Sequence, residues 1–399
     1  MFGICDNKIV AIKGICITIV SIVSSLAIFS SPTLVSDSIR ALVPIPNYLA
    51  IFTLLVSYLI DYKTIDIYRP LLFSCLFLAS LECFYLYEGS EYDIHPLSYL
   101  YWLLFGIAGS KVWVCSFKLF RKYLVVSSII GIIAYVSFVF SLGLPYQIQD
   151  YYDHEGWYYV NFIFAYLSID NEALRLCGLF NEPGLLGTML GMCLVADGLD
   201  LKKKENIILF IAGCFSLSLA FFMLLICYLF MRLLKNPKML RTFIIGLIVI
   251  LLLLPLLYKI EMVAIFLDRF TFVDGKWVGY GRTPDAIDRY WSALIRNGDY
   301  AFGYGSGYLS YIGYGYISYK SLIFEYGILG TLILWGSLMS AALWRCGNKY
   351  KFCIPFIVCY FINIVHRPTL FDPCFLLILF GGIEYMKQKF VTPNTIHAN

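Results

Sequence analysis

Four arginines and a handful of acids carry the chemistry open to this chain of 399 residues. Arg175 stands in Arg175-Leu-Cys-Gly-Leu-Phe-Asn-Glu-Pro-Gly184, where a polar stretch opens into an apolar helix, Leu185 to Leu199. A guanidinium is permanently charged, and its planar fork grips phosphate through two bonds. A helix N-terminus offers free N–H groups and partial positive charge to the same kind of anion. The spacing predicts Asn181 as N-cap of that helix and Pro183 in its first turn, where a missing N–H has no partner to lose. Arg282 and Arg289 lie in a second polar stretch, and Arg367 lies in the turn His366-Arg-Pro-Thr-Leu-Phe-Asp-Pro373. Arginines from three separate segments could converge on a pyrophosphate. The competing reading pairs each with a nearby carboxylate, Asp170 or Glu172 for Arg175 and Asp285 or Asp288 in the second stretch. Glu82 and Glu325 fall inside apolar runs, where a carboxylate is expensive and is usually functional or paired. Lys320 or an arginine is the partner expected for Glu325.

The elements that must hold these groups are membrane spans. The chain is 60% hydrophobic and 14% charged, whereas soluble domains carry about 25% charged residues. Apolar runs of the roughly 20 residues needed to cross a bilayer core recur from end to end. The composition never shifts toward a soluble domain, so residues 1–399 read as one polytopic membrane domain. Many of the 13 cysteines sit inside apolar runs, as packing residues. No Cys-x-x-Cys pair or His/Cys cluster calls for a metal.

Basic residues collect in cytoplasmic loops and so orient the spans. With the N-terminus inside, this gives about twelve spans, both termini cytoplasmic and two long outer loops, about 143–184 and 259–320. Lys111 to Tyr123 mixes lysines with Trp113, Phe117 and Phe120, a pattern for a helix lying on the cytoplasmic face, and span 5 follows from Leu124 to Leu142. The first long loop is rich in Tyr and acid, from Tyr146 to Tyr159. That composition suits sugar binding, and Trp157 to Phe164 suits an interfacial aromatic belt at least as well. Lys202 to Lys204 and the cluster from Arg232 to Arg241 both belong inside, so Ile207 to Met231 must double back. The turn falls near Ser216 to Ser218, and each arm is too short to cross a full bilayer. Such backbone is tolerated where it is buried in protein or lines a wet cavity. Spans 10, 11 and 12 run from Ser321 to Trp344, Phe352 to Val365 and Cys374 to Tyr385.

Ten of the 30 basic residues fall outside: Arg40, Arg175, Lys259, Arg269, Lys276, Arg282, Arg289, Arg296, Lys320 and Arg367. Seven of these ten are arginine, while the inner set is mostly lysine. Orientation alone does not require arginine; phosphate recognition favours it. In the second loop, Thr283 and Pro284 predict a helix start, with Asp285 and Asp288 in its first turns. Ile287, Trp291 and Leu294 form an apolar stripe at helical spacing. Phe302-Gly-Tyr-Gly-Ser-Gly307 follows, where glycine permits sharp turns or close approach.

Together, these segments resemble the O-antigen polymerase (Wzy-type) and O-antigen ligase superfamily. The resemblance is carried by Arg-x-x-Gly-x-x-x-Glu-Pro-Gly entering a span, by Ser216-x-Ser218, and by Arg289-Tyr-Trp-Ser-Ala-Leu leading to the glycine-rich stretch. Glu325-Tyr-Gly-Ile-Leu-Gly330 and His366-Arg-Pro complete it, over about Arg175 to Pro373. It implies an all-α integral membrane glycosyltransferase of GT-C-like architecture that needs no metal or cofactor. The implied reaction joins oligosaccharide repeat units carried on undecaprenyl diphosphate at the periplasmic face of the bacterial cytoplasmic (inner) membrane. The implied product is an O-antigen or related surface polysaccharide, with membrane lipid and a chain-length regulator protein as partners and no nucleic acid. Arg175 and Arg289 would bind diphosphate, with Arg282 as second choice in its loop and Arg367 in the final turn. Gly187 and Gly303 stand off the spacing of the family's Arg–Gly pattern. The second loop lacks the histidine usual in ligases, which favours a polymerase.

The implied chemistry needs a base near an attacking hydroxyl, for which His366 and Glu182 are candidates, and cations to stabilise the leaving diphosphate. His366 could instead bond backbone in its turn, and Glu182 could complete a cap or neutralise Arg175. A flippase would also suit twelve spans, but it should show related halves and a charged central pathway; no internal repeat is evident.

Overall fold

A 30-residue helix, α1 (Ser110–Val139), occupies the segment predicted as a surface helix followed by a span. The computed structural model describes residues 109–150, 157–162, 164–170, 173–234, 272–273, 276–277, 285–313, 318–367 and 373–391, with residues 14, 15, 18, 19 and 22 near the N-terminus. Spans 2, 3 and 9, most of spans 1 and 4, and Glu82 lie outside the described residues. Trp113, Phe117 and Phe120 are buried on α1, so the predicted headgroup-facing rings are covered by protein instead. A basic-aromatic pattern reads the same whether its apolar side meets lipid or another helix, which is why the sequence misleads here.

The described residues fall into two compact units, Val126–Ser292 and Met1–Val125 with Ala293–Asn399. In the first, the tyrosine-rich loop is not irregular. It forms a four-stranded antiparallel sheet in the order β1 (Gln147–Asp150), β2 (Trp157–Asn161), β3 (Tyr166–Asp170) and β4 (Ala173–Gly178). The all-α expectation is therefore corrected: the protein is mostly helical and carries small sheets. Trp157-Tyr-Tyr-Val and Tyr166-Leu-Ser-Ile are rich in aromatic and β-branched residues, which fit a pleated, half-buried surface.

After β4, α2 (Pro183–Ala196) has all fourteen residues buried, as a helix that is apolar all round should be. Its N-cap is Glu182, not the expected Asn181, and the Glu182 side chain makes no capping bond. Asn181 instead offers its carbonyl to the Tyr159 hydroxyl. At its far end, buried Asp197 accepts from Lys203 Nζ at 2.9 Å and Asn206 Nδ2 at 2.7 Å. This ties α2 to α3 (Lys204–Phe215), and α4 (Leu219–Leu233) returns from the turn between them. The hairpin therefore turns where the charge pattern puts it.

A two-stranded ribbon, β5 (Phe272–Val273) with β6 (Lys276–Trp277), lies in the second loop. α5 (Asp285–Asn297) follows, with Ile287 and Leu294 buried and Trp291 half-buried. A 3-10 turn (Asp299–Ala301) and the short α6 (Tyr308–Tyr311) lead to α7 (Tyr319–Cys346), a second 3-10 turn (Gly347–Lys349) and α8 (Tyr350–His366). The last helical run comprises α9 (Pro373–Leu376), a π-helical turn (Leu377–Gly381) and α10 (Gly382–Val391). Arg345 Nε donates to Glu384 Oε1 at 2.9 Å, with both side chains 3% exposed. Lys387 Nζ adds bonds to Glu384 at 3.1 Å and to the Arg345 carbonyl at 2.8 Å. The guanidinium lies 5.0 Å from the Trp113 ring centre. A buried ion pair persists when further partners satisfy it, and this one fastens α7, α10 and the start of α1.

By length and composition, two stretches among the described residues can cross a membrane, Ser110–Val139 and Tyr319–Val365. α2 and α4 are apolar but shorter.

Candidate functional site

Two groups of predicted residues come together locally, one in each unit. The first is built on β4. Arg175 pairs across the sheet with Ser168 and is 7% exposed. Its Nε donates to the Ser216 carbonyl at 3.2 Å and its Nη2 to the Leu217 carbonyl at 3.4 Å. Those carbonyls end α3, where a helix leaves unpaired acceptors and partial negative charge that a cation satisfies. These two bonds fix the direction of the guanidinium.

The turn itself is closely tied. Ser216 Oγ donates to the Gly213 carbonyl at 2.6 Å, and the Ser218 side chain caps α4 by accepting from Phe221 N. Ser218 Oγ also donates to the Gly184 carbonyl in the first turn of α2 at 3.5 Å. The three residues Ser216 to Ser218 thus touch both Arg175 and the start of α2. Gly187 makes this possible: a Cβ there would collide with the Ser218 side chain. A small residue is what this close approach requires.

A β-bulge lies beside the arginine. Leu167 pairs with Leu176 and Tyr166 with Gly178, leaving Cys177 as the extra residue. Burial pushes the Cys177 thiol up to about 12, against a lowering by its Ser168 hydrogen bond and by the Arg175 charge, while Glu182 raises it further. The thiol is therefore within electrostatic reach of both Arg175 and Glu182. Glu182 is half-buried at the mouth of α2. Arg289 is exposed on α5. Arg282 lies outside the described residues, as do Thr283 and Pro284.

The second group is built on a break in α7. Gly327 inside this helix has φ +64 and ψ −177, which opens the hydrogen-bond ladder. The glycine-rich stretch fills the opening. Tyr304 N donates to the Phe324 carbonyl at 2.7 Å and Gly305 N to the Glu325 carbonyl at 2.9 Å. Glu325, 1% exposed, accepts from Gly307 N at 3.0 Å through its carboxylate. Tyr326 Oη donates to Ser306 Oγ at 3.2 Å. Two motifs read separately in the sequence are here one knot, and the expensive carboxylate is held by main chain. Lys320 is half-buried in the first turn of α7. His366 is the last residue of α8, and half-buried Arg367 donates its N–H to the Asn363 carbonyl at 2.9 Å.

Sequence reasoning missed the acceptors of Arg175, because Ser216 and Leu217 are main-chain partners some forty positions away. It also missed Cys177, whose bulge leaves no periodic signal. Compared with known proteins, the chain matches no family model, no curated protein and no solved structure.

Proposed function

We propose that the chain is a polysaccharide polymerase. It would transfer an undecaprenyl-diphosphate-linked glycan chain onto a lipid-linked repeat unit at the outer face of the cytoplasmic membrane. One observation carries this reading: a buried guanidinium and the start of helix α2 are tied to the same Ser216–Ser218 turn. Permanent positive charge and a helix N-terminus are the two devices proteins use for phosphate. Here they sit in the segments that carry the family resemblance. The twelve-span, GT-C-like arrangement, its periplasmic site and the chain-length regulator belong to this same proposal.

In the reaction, a hydroxyl of the lipid-linked repeat unit attacks the anomeric carbon of the growing chain. The bond from that carbon to the diphosphate oxygen breaks, and undecaprenyl diphosphate leaves with the electron pair. Arg175 and Arg289, with Arg282 and Arg367 as further candidates, stabilise the charge that gathers on the diphosphate. The hydroxyl proton passes to a carboxylate or imidazole, Glu182 or His366.

The test is polymerisation of a purified lipid-linked repeat unit by the purified full chain. Arg289→Ala is the informative variant, because that side chain is exposed and its loss leaves the core intact. The expected result is a melting temperature within about 2 °C of the parent and transfer reduced about a hundredfold or more, the loss expected for a charge donor to the transition state. Cells carrying the variant should accumulate single capped repeat units. Full-length polymer from Arg289→Ala, or no polymer from the parent chain, overturns the proposal. Lipid-linked polymer left untransferred would point to a ligase, and absence of outer-face substrate to a flippase.

A further inference from the structure

Five aromatic rings fall between residues 300 and 311: Tyr300, Phe302, Tyr304, Tyr308 and Tyr311. Phe302 is 59% exposed, Tyr311 61% and Tyr300 44%. Tyr304 and Tyr308 are half-buried, with ring centroids 4.5 Å apart and planes at 40°. The Tyr304 phenol shares hydrogen bonds with Asp299 and Asn297. Its ionisation is pushed up by burial first and then by the Asp299 charge and hydrogen bond, partly opposed by Asn297.

These rings stand on a fixed floor. The main chain from Tyr304 to Gly307 is bonded to the broken helix at Phe324 and Glu325. A Cβ on Gly303 would strike the main chain of Glu325 and Gly327, so the footing cannot slide. Exposed rings on a rigid base, interleaved with an amide and a carboxylate, suit one class of ligand. A pyranose offers a flat C–H face that stacks on an aromatic ring, and a rim of hydroxyls that bond Asn and Asp side chains. An interfacial lipid belt is the other use of such rings. A carboxylate at Asp299 among the rings opposes that use.

We infer that the stretch Tyr300–Tyr311 is a saccharide-binding subsite, with the Tyr304–Tyr308 ring pair and Asp299 as its core. It rests on the polymerase reading only in that the saccharide is the acceptor glycan. Stacked rings hold the sugar, and the knot at Glu325 holds the rings.

The probe is the free oligosaccharide released by mild acid from the polyprenyl-linked lipids of the producing cells. Saturation-transfer difference NMR on the full chain in nanodiscs reads binding without any transfer step. The parent should give signals on sugar ring protons. Tyr308→Ala and Phe302→Ala should each weaken binding about tenfold, equal to about 1.4 kcal/mol, while Tyr308→Phe keeps the ring and the affinity. In the transfer assay the two alanine variants should raise acceptor KM by a similar factor and leave kcat within about twofold, as loss of uniform binding does. Alanine variants that bind and turn over like the parent overturn the subsite, as does a parent that gives no sugar signal. Protection of the rings by brominated lipid in place of sugar also overturns it, in favour of a belt. Sugar binding by the parent with no polymer made would sink the transfer reading and leave the subsite standing.

Discussion

Gly303 and Gly327 meet so closely that a Cβ placed on Gly303 would lie 2.5 Å from the Gly327 nitrogen. Both glycines are in the left-handed region, with φ +73 and +64. The glycine-rich stretch reaches the α7 break only because neither residue has a side chain.

Gly327→Ala should therefore be severely destabilising. The backbone at φ +64 and ψ −177 is nearly confined to glycine and costs another residue about 1–3 kcal/mol, and the collision with the Ala301 and Phe302 main chain adds overpacking of about 1–3 kcal/mol. Gly336→Ala is the control in the same helix, because a Cβ there meets nothing within 4 Å; it should be neutral or gain up to about 1 kcal/mol. Thermal unfolding of the purified protein compares the two. Equal melting temperatures would mean that the knot is not under this constraint.

Arg175 should be needed to keep the α3–α4 turn closed. Hydrogen bonds from a charged donor are worth about 1.5–3 kcal/mol each, and two end on this turn. In Arg175→Met, amide hydrogen exchange across residues 213–221 should accelerate at least about tenfold, which corresponds to about 1.4 kcal/mol of local opening. Arg175→Lys should recover part of the protection, since an ammonium reaches one carbonyl more readily than two. Unchanged exchange in Arg175→Met would remove the guanidinium from any role in holding the turn.

Cys177 should make the fold sensitive to alkali. Its thiol ionises at about 12 in the folded chain against the ordinary 9.0. Between those values the unfolded chain has lost the proton and the folded chain keeps it, so stability falls as pH rises. The contribution is intact below about pH 9 and its loss reaches about 4 kcal/mol near pH 12, at about 1.4 kcal/mol per pH unit. Denaturant midpoints at about pH 8 and about pH 10.5 should therefore differ more for the parent than for Cys177→Ala. The difference between the two proteins isolates this thiol from tyrosines and lysines that titrate nearby. Identical pH dependence would show that the thiol is hydrated.

What the sequence revealed followed from charge and local chemistry. Two basic clusters expected on one side of a membrane predict a turn at Ser216 to Ser218, and α3 ends at Phe215 with α4 starting at Leu219. Pro183 opens α2, and the stripe of Ile287 and Leu294 is buried on α5. What stayed hidden depended on partners distant in the chain. Trp113 and Phe117 gave no sign that their neighbours are Phe380 and Tyr385 rather than headgroups. The aromatic run from Trp157 gave no sign of the sheet, because pairing between strands leaves no mark on either strand alone. The expense of a carboxylate in an apolar run marks Glu325, which is 1% exposed and accepts from Gly307 N. The partners of Arg175 and Glu325, the Ser216 carbonyl that accepts and the Gly307 amide that donates, carry no side-chain signature.

Two of the bonds between the glycine-rich stretch and α7 join main chain to main chain, through peptide groups that every residue except proline possesses in full, and the others use the Glu325, Tyr326 and Ser306 side chains. The exposed rings Tyr300, Phe302 and Tyr311 are consequently at liberty to change, while Gly303, Gly327, Ser306, Glu325 and Tyr326 are not. A lineage could rewrite the aromatic letters to suit a new sugar and still inherit the same foundation.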